Sequence, residues 1–186
     1  MRSRFLLAAL VLSVPRTPAF SQHLSPVVDL LDKGKPVFGL YAPANRRARP
    51  GAPVDTTIKV KTPDELALDA IANKLPDYIF DGSMEGNFDA GYERFAPFVA
   101  GMQKGGAVTK KQLHHPLFVK MTEIGTDYAL AGQRIAKQLD LGVSGIVFVG
   151  VESAEEVKAG LAAMRFKSKG GTRPDAVGGD SEGRRR

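Results

Sequence analysis

Short apolar runs alternate with longer segments of helical periodicity, and this alternation constrains the fold more than any other feature of the sequence. The runs lie at residues 36–42, 77–81, 116–121 and 145–151. Each run is short and continuous, which is typical of a strand that is covered on both faces. Strands that are separated by helices run in the same direction, so the sequence predicts an α/β fold with a parallel sheet.

Two architectures satisfy this pattern. One is a small doubly wound sheet, and the other is part of an eight-stranded β/α barrel. Complete barrels typically need about 250 residues, whereas this chain has 186. The alternation alone leaves both architectures open, and both place functional residues at the carboxyl ends of the strands.

Capping signals mark the starts of the predicted helices. Ser25 precedes Pro26 in the first helix, which should end just before Gly34, and Thr62 stands three residues before Glu65 in a capping box. The later helices should start at Thr126 and Ser153. The apolar residues predicted to face inward are Leu66, Leu68, Ile71 and Ala72, then Phe95, Phe98, Val99 and Met102, and finally Leu130, Ile135 and Leu139.

The first 21 residues have the layout of a secretory signal peptide. Arg2 and Arg4 precede an apolar stretch at residues 5–14, and Ala19 and Ser21 are small residues before a possible cleavage site. This stretch is too short to span a bilayer, which needs about 20 apolar residues. We therefore expect an exported protein, periplasmic or secreted, without a membrane span. The alternative is a disordered or extended N-terminus.

Composition excludes several kinds of site. The chain has no cysteine, so disulfides and thiolate metal sites are impossible, and its three histidines are poorly spaced for zinc. The formal net charge is +6, but arginines of residues 1–21 supply three of these charges and others lie in the last three positions. Because no continuous basic stripe with aromatic residues is left, we expect no nucleic-acid partner.

Four residues mark the carboxyl ends of the predicted strands: Tyr41, Asp81, Lys120 and Glu152. Asp81 precedes the glycine-rich loop that begins at Gly82, where backbone can approach a ligand. Asp81 is therefore a functional candidate, although a loop-capping role is the alternative. Lys120 can meet a carboxylate or phosphate, or it can extend its ammonium from the sheet edge into solvent.

Four other polar residues are better explained by structure than by chemistry. Glu85 lies in the loop after Asp81 and is expected to be a surface acid, with a place in the same pocket as Asp81 as the alternative. His114 and His115 precede the third strand at its amino end. Glu152 stands just before an S-x-x-E capping box, where the helix N-terminus favours negative charge. We interpret Glu152 as part of a helix start.

Several ordered segments resemble the HpcH/HpaI aldolase/citrate lyase family. These are "PVFGLYAPANRR", "DYIFDGSMEGNFD", "HPLFVKM" and "LGVSGIVFVGVESAEEVKAGLAAMRFKSKGGTRPDAVG". The resemblance implies a β/α barrel of the phosphoenolpyruvate/pyruvate-binding type. It also implies cleavage or formation of carbon–carbon bonds in pyruvate-like or oxaloacetate-like 2-keto acids, with a bound Mg²⁺ or Mn²⁺ that stabilises the enolate.

The resemblance assigns roles to some residues and leaves other roles unfilled. Asp81 matches a catalytic aspartate, while Lys120 and Gly82 fall in the substrate-binding positions. Lys120 stands where the family has an arginine, so it keeps the charge but loses the bidentate fork. The loop histidine of the aldolases has no counterpart in "GSMEGNFD". Glu152 matches a fourth-strand glutamate rather than a metal ligand, and the expected metal ligands fall beyond Arg186.

These observations predict a partial barrel over residues 22–178 and a disordered basic tail over 179–186. A truncation or a frameshift in a longer enzyme would produce such a tail, and we expect the half barrel to be inactive alone. Its two open sheet edges favour self-association, and the intact protein is expected to be a homo-oligomer. The alternative is a complete, secreted module that binds a small carboxylate without catalysis.

Overall fold

A computed structural model describes residues 25–45, 57, 59–107 and 114–175, and it has the alternating order that the sequence predicts. The strands are β1 Gly39–Tyr41, β2 Tyr78–Asp81, β3 Leu117–Lys120 and β4 Gly145–Val147. The helices are α1 Pro26–Asp32, α2 Pro63–Ala72, α3 Phe88–Lys104, α4 Tyr128–Leu141 and α5 Ala154–Met164, followed by a short 3₁₀ helix at Lys167–Lys169.

The strands form one parallel sheet in the order β1-β2-β3-β4. The α/β class and the parallel sheet are therefore confirmed. Spatial order follows chain order without the reversal that marks the switch point of a doubly wound sheet. Within the described residues, β1 and β4 are the two edges of the sheet.

The main core lies between the sheet and the helices α2 and α3. Ile79, Leu117 and Val119 form its sheet side and are almost completely buried. The prediction for α3 is confirmed, since its four inward residues are all buried: Phe95, Phe98, Val99 and Met102. A second cluster joins α4 and α5 to the end of β3, and Ile135 is its fully buried centre on α4.

The inward face of α2 differs from the prediction. Leu66 and Ile71 pack against the core, but Leu68 is 58% exposed and Ala72 also faces solvent. The buried residues of α2 are small, Ala67 and Ala70. A Cβ placed on Gly101 of α3 would lie 2.8 Å from Cβ of Ala67. The two helices therefore approach closely through small residues, and this contact turns Leu68 outward.

The predicted helix starts are largely confirmed. The Thr62 hydroxyl accepts from the backbone N–H of Glu65 at 3.2 Å, and the Glu65 carboxylate accepts from the Thr62 N–H at 2.8 Å. Ser153 caps α5 as expected. The cap of α4 is Asp127 rather than Thr126, because the Asp127 carboxylate accepts from the Leu130 N–H at 2.9 Å. The helix starts one residue later than predicted.

Two predictions of burial are wrong. Leu130 is 39% exposed, because it lies in the first turn of α4 and lines a surface cavity. The strand β1 is exposed along its whole length, and Tyr41 is 71% exposed. β1 is an edge strand, so the expectation that every strand is covered on both faces does not hold for it.

The predicted signal peptide at residues 1–21 and the predicted tail at 179–186 lie outside the described residues. The same holds for residues 22–24 and 176–178 of the predicted barrel domain. Among the helices that the structure describes, none is both long enough and apolar enough to cross a bilayer.

Candidate functional site

The carboxyl ends of β2 and β3 bring Gly82 and Lys120 together. Phe80 pairs with Phe118 in the register, so Gly82 and Lys120 follow two residues later on the same face of the sheet. A Cβ placed on Gly82 would lie 3.7 Å from Cδ of Lys120. The two residues predicted to bind substrate are therefore neighbours, and the glycine leaves room for the lysine stem.

Asp81 lies on the opposite face of the sheet from Lys120. Asp81 pairs with Val119, whose side chain is buried in the main core on the helix side. One carboxylate oxygen of Asp81 accepts from the Ser83 N–H at 2.9 Å and from the Ser83 hydroxyl at 2.5 Å. This geometry makes Asp81 the residue that folds the loop after β2. Its catalytic role stays a prediction.

Glu85 is the carboxylate that meets Lys120. Its Oε2 atom lies 2.9 Å from the Lys120 Nζ atom, and the two side chains are 44% and 32% exposed. The hydrogen bond that Lys120 donates to Glu85 raises the pKa of Lys120 above its ordinary value, although desolvation opposes this effect. Glu85 is therefore a surface acid, as the sequence favours, and it also reaches Lys120 at the sheet edge.

Gln138 of α4 contacts the end of β3, and it is a site residue that the sequence does not predict. Its side chain is fully buried, and its amide nitrogen donates to the backbone carbonyl of Lys120 at 3.1 Å. The same nitrogen lies 3.5 Å from the Met84 sulfur in the loop after β2. The only signal in the sequence is a polar residue three positions after buried Ile135.

A cavity of about 340 Å³ opens beside the Lys120–Glu85 pair. It is bounded by the loops that follow β3 and β4, and Glu85 forms part of its wall. Arg134 projects into this wall from α4, where its Nη1 atom donates to the Thr122 hydroxyl at 2.8 Å. The guanidinium carbon lies 5.2 Å from the ring centre of Phe88. Arg134 is therefore a half-buried cation next to the site.

Tyr41 extends the same face of the sheet towards β1. Its ring packs edge-on against Phe80, with ring centres 5.0 Å apart. Tyr78 and Phe118 also lie on this face, with ring centres 4.6 Å apart. Tyr41 therefore belongs to an aromatic surface at the sheet edge.

Glu152 lies at the start of α5 with an exposed side chain. Its backbone N–H donates to a carboxylate oxygen of Glu156 at 3.3 Å, and the other oxygen of Glu156 accepts from the Ser153 hydroxyl at 2.9 Å. Ser153 and Glu156 therefore build the helix start, and Glu152 contributes its backbone N–H. The structural role of the Glu152 side chain stays a prediction.

The two histidines lie at the amino end of β3, away from Lys120. His114 is exposed, while His115 is buried with its Nε2 atom 2.9 Å from the carbonyl oxygen of Asn73. Their placement agrees with a structural role.

The described part of the chain offers no set of three histidine or carboxylate side chains that could hold a metal ion. Comparisons of the chain with protein-family models, with curated proteins and with solved structures find no match. The function is therefore inferred from the geometry of the site and from the sequence.

Proposed function

We propose that the edge formed by Gly82 and Lys120 binds the carboxylate of a small 2-keto acid. One observation carries this proposal: Lys120 already holds a carboxylate oxygen, that of Glu85, at 2.9 Å. A lysine at a sheet edge that can reach a partner carboxylate offers the charge that such an anion needs. Gly82 leaves the space beside it, and Asp81 shapes the loop above it.

We further propose that the chain supplies β/α units of a barrel of the HpcH/HpaI aldolase/citrate lyase kind. The sequential order of four parallel strands supports a barrel over a doubly wound sheet. Phe80, Phe118 and Tyr78 are only half-buried on the face opposite the helices. Apolar side chains on that face suit the packed interior of a closed barrel.

The proposed chemistry is carbon–carbon bond cleavage or formation next to a keto group. Lys120 would hold the carboxylate and fix the orientation of the substrate. A fixed orientation lowers the barrier of the reaction. In the family, Mg²⁺ or Mn²⁺ stabilises the enolate. Because the described residues offer no ligand set for that ion, we derive no step through a metal. The family resemblance also proposes Asp81 as a catalytic residue, although its side chain lies on the opposite face of the sheet from Lys120 and accepts hydrogen bonds from Ser83.

Substitution of Lys120 tests this proposal. Pyruvate binding should be measured by isothermal titration calorimetry for the wild type, for Lys120→Gln and for Lys104→Gln. Lys104 pairs with Asp64 on the helix side of the fold, so it is a matched control for the loss of one exposed ion pair. We expect Lys120→Gln to weaken binding about tenfold or more, as for a charged hydrogen-bond partner. Equal pyruvate affinity in the two variants would show that Lys120 does not bind the carboxylate and would refute the proposal.

A second function, carboxylate binding without catalysis, is supported by the same ion pair, because Lys120 can hold a carboxylate without taking part in a reaction. Two assays distinguish these functions. Cleavage of oxaloacetate in the presence of Mn²⁺, lost in Lys120→Gln, supports the lyase. Thermal stabilisation by pyruvate without metal and without turnover supports the binding module.

The cellular location and assembly of the protein stay proposals as well. The sequence of residues 1–21 supports export to a periplasm or to the medium. The open edges at β1 and β4 support self-association. Sizing of the purified chain by light scattering tests the second of these, since a monomer at all concentrations would contradict it.

A further inference from the structure

Glu85 and the half-buried Arg134 line the same cavity beside the candidate site. Glu85 contacts Lys120 and also lines the cavity into which Arg134 projects. The carboxylate therefore bonds one cation, Lys120, and lines the same cavity as a second cation, Arg134. Arg134 has its guanidinium held over Phe88 and donates to the Thr122 hydroxyl, and further N–H groups remain for a second acceptor.

From this arrangement we infer that Glu85 is an internal competitor that occupies Lys120 in the absence of ligand and moves to Arg134 when a ligand carboxylate binds. The inference rests on the proposed function, because it assumes that the ligand carboxylate binds Lys120. It concerns the regulation of that site and assigns a role to Arg134, which the proposed function does not use.

Charge balance supports the exchange. If a carboxylate ligand entered while Glu85 stayed in place, two negative groups would share the single ammonium of Lys120, and Glu123 and Asp127 line the same cavity. Repulsion between carboxylates that contact the same ammonium opposes binding of the ligand. When Glu85 moves to Arg134, each of the two cations has one carboxylate, and the net charge of each pair is zero.

The local structure makes this movement easy. The Lys120–Glu85 pair is substantially exposed, and exposed pairs contribute little to stability, so breaking one costs little. A Cβ placed on the next residue, Gly86, would meet no atom within 4 Å, so the loop is loosely packed at this point. Asn87 then fixes the start of α3 by accepting from the Ala90 N–H. Movement can therefore be confined to Glu85 and its neighbour.

The experiment measures pyruvate affinity in a double-mutant cycle. The variants are Glu85→Gln, Arg134→Gln and the combination of both, with Lys120→Gln as the reference for loss of the site. Glu85→Gln should bind pyruvate about two- to fivefold more tightly than wild type, the factor expected for an exposed ion pair. Arg134→Gln should bind more weakly by a similar factor. In the Glu85→Gln background, Arg134→Gln should have no effect.

Several outcomes would overturn the inference. Unchanged or weaker binding by Glu85→Gln would show that Glu85 does not compete. A persistent effect of Arg134→Gln in the Glu85→Gln background would show that Arg134 contacts the ligand directly. Glu93→Gln removes an exposed negative charge on α3 and controls for general electrostatics. If no variant shows binding that depends on Lys120, the proposed function fails and the inference fails with it.

Discussion

Replacement of Gln138 with alanine should destabilise the protein by about 2–4 kcal/mol, whereas methionine at the same position should change the stability by less than about 1 kcal/mol. Gln138 is fully buried, and its amide nitrogen donates to the carbonyl of Lys120 at 3.1 Å. Its amide oxygen has no hydrogen-bond partner among the described residues. The two substitutions separate the effect of volume from the effect of polarity.

The magnitudes follow from three contributions. Loss of the hydrogen bond to Lys120 costs about 1 kcal/mol, and removal of the unpaired buried oxygen recovers a similar amount. These two contributions nearly cancel in both variants. Alanine also leaves a cavity beneath the end of β3, which adds about 2–4 kcal/mol by analogy with other large-to-small core substitutions. Methionine fills nearly the same volume as Gln138 and leaves no such cavity.

Urea denaturation followed by circular dichroism measures the difference. Gln133→Ala is the matched control, because Gln133 is exposed on the same helix, and its substitution should stay within about 0.5 kcal/mol of wild type. If methionine at position 138 were as destabilising as alanine, the hydrogen bond to Lys120 would dominate and the cancellation argued above would be refuted. If both variants were neutral, Gln138 would not be buried in solution.

Two further predictions concern stability. The hydrogen bond from Lys59 is the largest of the contacts that lower the pKa of Glu65 from 4.5 to about 2. Because the folded-state pKa is the lower one, the stabilisation is present above pH 4.5 and is lost as the pH falls towards 2. The melting temperatures of wild type and Glu65→Gln should therefore differ at pH 7 and converge near pH 2, and a constant difference would contradict this. Gly145→Ala should cost about 1–3 kcal/mol in urea denaturation, since its Cβ would overlap the Phe118 ring. Gly86→Ala, in open space, should be near neutral, and equal losses would contradict the packing argument.

The order of the elements and most helix starts could be predicted from the sequence because local interactions determine them. The capping box of Thr62 and Glu65 is formed by residues three positions apart, and Ser153 caps its helix in the same way. Short apolar runs locate the strands for a similar reason, although each observed strand is shorter than the run that predicted it. Such signals do not depend on the packing of distant elements.

The buried face of α2 could not be predicted, because it depends on the partner helix. Helical spacing alone favours Leu68 as a core residue, yet Leu68 is exposed and Ala67 is buried. The close approach of Gly101 on α3 decides this, since a larger residue than alanine would not fit against it. That information lies about thirty positions away in the sequence.

In the candidate site, the positions of residues along the strands could be predicted, but the face of the sheet that each side chain occupies could not. The sequence places Asp81 and Lys120 at the ends of adjacent strands, and the structure agrees with both placements. Which face of the sheet each side chain occupies depends on the register between β2 and β3. In the observed register Asp81 pairs with Val119 and faces the helices, and Gly82, the next residue, lies beside Lys120. A register shifted by one residue would exchange these faces. No local sequence pattern determines the register between β2 and β3.

Asp81 and Glu85 have different roles in the loop that follows β2. Asp81 accepts two hydrogen bonds from Ser83 and so directs the chain of the loop that follows β2. Four residues after Asp81, this loop delivers Glu85 to Lys120 at the same sheet edge. Loss of the Asp81 carboxylate would therefore disturb Lys120 indirectly, by releasing the loop that carries Glu85. Reduced activity in an Asp81 variant would follow from that release alone, so the proposed catalytic role of Asp81 has to be distinguished from its role in the loop.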